Sequence, residues 1–510
     1  MSSLSVSNAE VRVAAPRAQL LQATPLTFCR LTLWSFLALM VTTTLADADL
    51  WGHLRFGLDI LASKSLHTTD PYSFTSDRAW INHEWLSEVL TAVAYRSFGT
   101  LGLGLLKAAM IAIVLAVLFS VARRERVSPL ARDLFVALAL FVTYSRTQVI
   151  RPQLFSVALF FIILWLLKQA DRGHSKTLAF VPVCFAVWAN LHGAWIVGLG
   201  ALALWLAGDA YQHRSMRRTL ILGAVGIASV FATLVNPYGI GLWQFMAETV
   251  KPARPDITDW KPLLQLPAPI IAIECLLPVL TAVAIWRSRK VPSIRDLAVV
   301  TLLGIAMFRV GRVDAFFQAA VAILMAGPLL AWVGRIDLHV RPSLTRSSVP
   351  VGFFVLALGV YSAINAAANM RVVRVDGKWI PDRTAAMLLR EARPGARVLT
   401  WFDWGEYALW QLSPAGIRVS MDGRRETVYS DRVNEDHQRF YAGDPSMLDY
   451  PDRIGADHVW LPSRLKMSEA LVARGWIKIL DTGQSVVLSR TGPSIPLRAI
   501  PAASNNFPWP

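Results

Sequence analysis

The stretch Asp47-Ala-Asp49-Leu-Trp51-Gly-His53 decides how the rest of this chain is read. It follows directly on the apolar run 31–46, so two carboxylates and an imidazole stand where a hydrophobic helix would leave the bilayer. The polar theme continues through Thr69-Asp70-Pro71-Tyr72-Ser73 and Asn82-His83-Glu84-Trp85, interleaved with aromatic rings. Charge is cheap to place at a membrane boundary, where side chains reach water and headgroups. It must be held in position to do chemistry, and this mixture suits a reaction at the bilayer surface on a substrate with a lipid tail.

Outward from that stretch, the 510 residues are 54% hydrophobic, more than a soluble fold needs, and the excess lies in long runs. These are 31–46, 101–121, 131–144, 154–167, 177–188, 195–210, 220–235, 268–286, 297–308, 315–333 and 351–368. With flanking residues most approach the roughly 20 residues that cross the hydrocarbon as a helix. The chain therefore reads as a polytopic α-helical membrane protein with about eleven transmembrane helices.

The net charge of +16 raises nucleic acid as a partner, but its distribution excludes it. Basic residues gather in 123–126, 168–176, 214–218, 287–290 and 335–346, which are alternate loops. That is the positive-inside pattern and places those loops in the cytoplasm. The first outer loop, 47–99, has the opposite balance. An odd number of spans puts the N-terminal tail, 1–27, inside and everything after residue 369 outside. Cys29, Cys184 and Cys275 are single and sit in or beside apolar runs, so neither a disulfide framework nor a metal site is indicated.

Within the first outer loop, 49–60 and 83–95 have helical apolar spacing and read as amphipathic helices on the membrane surface. The transmembrane region is expected over 28–369. Residues 370–492 have the composition of a soluble domain, with strands at 397–400, 417–421, 458–461, 476–480 and 486–489 and helices at 407–412, 432–441 and 468–474. This alternation predicts a small extracytoplasmic α/β domain, followed by a Pro-rich tail, 493–510.

The candidate site residues lie in the outer loops. Asp47 and Asp49 can together hold a divalent cation such as Mg2+ or Mn2+, which would clamp phosphate oxygens. Alternatively one of them takes a proton from an attacking hydroxyl. The structural reading is that Asp47 caps a helix and Asp49 complements its positive end. His53, His83 and Glu84 are candidates for substrate contact, set against an interfacial aromatic anchor with solvated neighbours. Arg151, Arg309 and Arg312 lie at outer helix ends, where they either snorkel to headgroups or bind a lipid phosphate. His192 flanks the tight turn Asn190-Leu-His192-Gly193, and Asp256 and Asp259 supply acids from another loop. Trp401-Phe-Asp403-Trp404-Gly405 and Asp422-Gly423-Arg424-Arg425 each follow a predicted strand, where loops often carry sites, and the structural reading is aromatic packing with Asp403 and Asp422 capping helices.

Together these features resemble the GT-C superfamily of integral-membrane glycosyltransferases. There a many-helix bundle has a first outer loop with surface helices and an acidic motif near its start, the place taken here by Asp47-Ala-Asp49. Trp401-Phe-Asp403-Trp404-Gly405 is similar to the W-W-D-Y-G motif of oligosaccharyltransferase catalytic subunits, with Phe402 and Trp404 as departures. The resemblance implies a bacterial inner-membrane enzyme that takes sugar from a polyprenyl-phosphate donor on the outer face, usually with inversion. On that reading Asp47 or Asp49 is base or metal ligand, and Arg309 or Arg312 meets the donor phosphate. The acceptor, a glycan, lipid or protein, would be extracytoplasmic. The alternative is a transporter or flippase for a lipid-linked or polyanionic solute. Such a protein should carry ionisable residues near the bilayer midplane, and the predicted spans are almost free of them, Glu274 being the main exception.

Overall fold

A computed structural model describes residues 25–249, 260–335, 348–377 and 381–491. Every apolar run named above lies wholly or largely in a helix. Among the described residues three helices are long and apolar enough to cross a membrane unaided: the one from Trp85 to Glu125, then Gln153–Asp171 and Ala268–Ser288. A fourth candidate is Gly311–Leu324 with Ala326–Val333, two helices bent by 64° at their junction. Phe28–Thr42, Ser175–Trp188 and Phe353–Asn369 are apolar but shorter. The bundle core is made where these helices turn large side chains on one another, with Trp188, Trp195, Trp205, Phe160 and Phe316 fully buried.

The first expected surface helix is present as Leu50–Ser63. Gly57 lets it press on the next helix, since a Cβ there would lie 2.1 Å from the Glu88 carbonyl oxygen. The second is continuous with the span after it, Trp85–Ala122, and the break falls at Gly99. Its φ of 59° and ψ of −139° suit a residue without a side chain, so surface and spanning segments meet at a bend there.

One departure concerns charge. The sequence suggests spans nearly free of ionisable groups apart from Glu274, yet Lys107 lies fully buried inside the Trp85–Ala122 helix. Its ammonium donates to the carbonyls of Val41 at 2.7 Å and Thr43 at 2.8 Å, at the end of the first helix, Pro25–Thr42. Glu274 is also engaged, accepting from Gln318 Nε2 at 2.9 Å.

After the last apolar helix the chain returns to the first. Strand β1 (Thr44–Ala46) pairs in parallel with β2 (Val373–Val375). Five more strands form a mixed sheet: β3 (Arg397–Thr400), β4 (Arg418–Val419), β5 (His458–Pro462), β6 (Ile477–Asp481) and β7 (Ser485–Ser489), in the order β4-β3-β5-β7-β6. The β6–β7 hairpin turns through Gly483 at φ 79°, as Asp481-Thr-Gly483-Gln suggests. This sheet layer shares one apolar core with the first outer loop. Trp51, Phe56, Tyr72 and Trp80 pack with Trp404, Tyr407 and Val419. Two regions some three hundred residues apart in sequence thus roof the same end of the bundle.

Candidate active site

Under that roof is a cavity of about 540 Å³. Eight of the sequence candidates line it: Asp49, His53, His83, Glu84, Arg151, His192, Arg309 and Arg312. They come from five separate loops or helix ends, which confirms that these segments share one end of the bundle. Asp47 lies behind the wall, with Arg151 Nε 3.2 Å from its carboxylate. Asp256 and Asp259 fall outside the described residues.

Asp49 occupies the N-cap position of Leu50–Ser63, but its carboxylate makes no capping hydrogen bond. Asp49 therefore stands at the positive end of this helix, the N-cap position is not taken by Asp47, and the Asp49 side chain also lines the cavity. Burial, and then the neighbouring Asp47, raise its pKa to about 6, although Arg151 at 3.8 Å opposes them. A carboxylate so placed is ionised near neutral pH and basic enough to accept a proton.

Around it is a network of alternating charge. His53 Nδ1 is 3.4 Å from Glu88 Oε1, and Asn82 donates to the other Glu88 oxygen at 2.6 Å. Burial alone would depress His53, but Glu88, Glu84 and Asp49 outweigh it and hold the imidazole at about 9, as a cation. Glu84 is held between two imidazoles, 3.6 Å from both His83 Nε2 and His192 Nε2. Burial pushes it up, but His83, His53 and Arg312 outweigh that and bring it down to about 2. Burial and then Arg312 push His192 in the other direction, to about 3, so this ring is neutral. Trp188 donates to Ser156 Oγ at 2.7 Å, leaving the Ser156 hydroxyl, 2.7 Å from His192 Nδ1, to fix that ring.

The arginines are placed differently. Arg309 ends the helix Ile294–Arg309 and is exposed at the rim. Arg312 approaches His192 Nε2 at 3.4 Å and lies over the Trp260 ring at 5.8 Å. The cavity lining also includes the apolar side chains Ile196, Val197, Val313 and Phe316, the last two close after Arg312 in the chain. An anionic head with an apolar tail matches that combination.

Several lining residues escaped the sequence reading. Glu88 is four residues after Glu84 on the same helix and could have been found by that spacing. Glu406, Glu426 and Thr427 come from the sheet layer, beside Gly423, Arg424 and Arg425 of the motif already singled out in the sequence. Trp401-Phe-Asp403-Trp404-Gly405 does not itself line the cavity: Trp401 packs on Tyr441 and Trp404 on Trp460. Its role is to deliver the next residue, Glu406. Asp422-Gly423-Arg424-Arg425 is likewise more than a cap. Arg424 donates to both Asp70 oxygens at 2.9 Å and to Asp422, and is enclosed by Phe56, Tyr72 and Trp80.

Arg151 lies against both carboxylates of the Asp47–Asp49 pair and offsets one of their two charges, and among the described residues no three His, Cys, Asp or Glu side chains converge as a metal site.

The fold is shared with solved structures of ArnT. The chain is similar over 90% of its length to ArnT from Cupriavidus metallidurans in the apo state, with a TM-score of 0.52 and 13% identity, covering 97% of that chain. The same ArnT bound to undecaprenyl phosphate matches 92% of this chain and 97% of its own at 15% identity, with a TM-score of 0.50. No protein-family profile and no curated relative matches the sequence.

Proposed function

We propose that this protein is a membrane glycosyltransferase that transfers a sugar from a polyprenyl-phosphate-linked donor to an acceptor on the outer face of a bacterial inner membrane. The observation that carries the reading is the cavity itself. Its lining combines the Asp49 carboxylate, with a raised pKa, the cations Arg309 and Arg312, and apolar side chains. In this reading the acceptor hydroxyl attacks the anomeric carbon while Asp49 takes its proton. The bond from that carbon to the phosphate oxygen breaks, and Arg309 and Arg312 stabilise the phosphate that leaves with the polyprenyl chain. Attack from the side opposite the leaving group inverts the anomeric centre. His53, held cationic, and Glu84, held anionic, keep the field around Asp49 fixed, while His83 and His192 border the sugar.

The N-terminal tail is then cytoplasmic and the sheet layer extracytoplasmic, as the alternate basic loops require. The test is sugar transfer by purified protein in lipid vesicles, with a panel of polyprenyl-phosphate sugars and a crude envelope acceptor pool. Transfer that Asp49→Asn removes supports the proposal. Movement of donor lipid between leaflets without transfer to any acceptor overturns it in favour of a transporter.

A further inference from the structure

Lys107 is a charge that this mechanism leaves unused. It is fully buried in a membrane-spanning helix, and among the described residues no carboxylate pairs with it. Ionisable groups at such depth are rare unless something specific holds them. Here the holding groups are three backbone carbonyls, those of Met40 at 3.5 Å, Val41 at 2.7 Å and Thr43 at 2.8 Å. All belong to the last turn of Pro25–Thr42 or the residue after it, where carbonyls lack helical partners. That helix has no basic residue of its own in its last turn, so Lys107 supplies the missing C-terminal cation from a neighbouring helix.

The segment just beyond this turn gives the contact its meaning. Strand β1 begins at Thr44, one residue beyond the last carbonyl that Lys107 binds. On one side β1 pairs with β2, and on the other Leu45 N–H donates to the Gln148 carbonyl at 2.9 Å while Ile150 N–H donates to Leu45 at 3.0 Å. At the far end of β1 is Asp47, and after Ile150 comes Arg151, the two side chains meeting at 3.2 Å. Asp49 is next, at the helix N-cap. The register of β1 between two neighbours therefore sets where both acids stand, and Lys107 fixes its starting point.

We infer that Lys107 is a positioning residue that anchors the end of the first helix and, through strand β1, aligns Asp47 and Asp49 with Arg151. Resting on the proposed transferase reading, this inference predicts a defect in turnover and not in donor binding. Arg309, Arg312 and the apolar lining residues lie on other elements, so donor affinity does not pass through Lys107.

The test compares wild type, Lys107→Met and Lys107→Arg in the full chain, reconstituted in lipid. Backbone hydrogen–deuterium exchange over 43–49 is read first because it needs no activity. Lys107→Met should speed exchange there about tenfold with the other helices unchanged, and Lys107→Arg should stay near wild type. In transfer assays Lys107→Met should lower kcat about tenfold or more while KM for a polyprenyl-phosphate sugar moves less than about twofold. Unchanged exchange and kcat in Lys107→Met, or faster exchange spread evenly over the bundle, overturns the inference. If Lys107→Met does not fold, wild type decides: protected amides at Leu45 and Ile150 support the anchored strand, and exchange as fast as an open loop overturns it. Absence of transfer by wild type would sink the transferase reading and leave the exchange result to judge Lys107.

Discussion

The Glu406 carboxylate occupies the space that a side chain on Gly52 would need: a Cβ at Gly52 would lie 1.5 Å from Glu406 Oε2. Gly423 makes the same allowance from the other side, its Cβ position being 2.4 Å from Asp49 Oδ1 and 3.1 Å from Glu406 Oε1. The roof can therefore close on Asp49 only because two glycines stand at its contact points. Gly52→Ala should open this contact and destabilise the protein by about 1–3 kcal/mol. Thermal unfolding and sugar transfer, measured together, check it. Unchanged values for both would show that Glu406 can move aside.

Asp49 and Asp47 should separate under mutation. Asp49→Asn removes the proton acceptor and should lower turnover by about 10²–10⁴-fold. Asp47 faces Arg151 behind the wall, so Asp47→Asn should cost clearly less. Steady-state kinetics on folded variants decide the order, and equal losses would contradict the assignment.

The pH dependence of transfer should be bell-shaped. Asp49 must be ionised to accept a proton, so activity rises with pH through about 6. His53 has a raised value, so its charge is complete below its ordinary range and is lost as pH climbs through about 9. Glu84, lowered to about 2, stays ionised across this window and adds no limb. His53→Gln should remove the alkaline limb and move the acid limb upward, since the His53 cation helps keep Asp49 ionised. A profile with no alkaline limb in wild type would refute the role given to His53.

Arg424 ties the two halves of the roof together through Asp70 and Asp422. Arg424→Met leaves two buried carboxylates without their cation and should destabilise the fold by about 3–5 kcal/mol. Loss of the thermal transition in detergent would agree with this. A midpoint within a degree or two of wild type would show that water replaces the guanidinium.

Because Arg151 already sits against both Asp47 and Asp49, where a cation would bind, transfer should survive chelation of divalent cations. Activity lost to chelator and restored by Mg2+ or Mn2+ would reinstate the two aspartates as metal ligands.

The helical runs, the acidic stretch after the first of them and most strands of the last layer were legible in the sequence, because hydrophobic period and turn chemistry are local properties. His192 and Arg312 could be named as candidates on the same ground, since each stands at a helix end in an outer loop. Their contact could not, because 120 residues separate them. Glu406 was missed for a related reason. On its own helix it is an ordinary acid in the first turn, and only packing against Gly52 and Gly423 makes it part of the cavity.

Amino-acid order alone determined that this chain is a helical membrane protein with its polar chemistry gathered in alternate loops, since solvation by lipid or water is decided residue by residue. Tertiary structure decided which of those loops meet. It put Asp49 rather than Asp47 on the cavity, folded the sheet layer back onto the first outer loop and gave buried Lys107 its carbonyl partners. Those outcomes depend on long-range packing and on the charge environment it creates, neither of which has a signature in any single stretch of sequence.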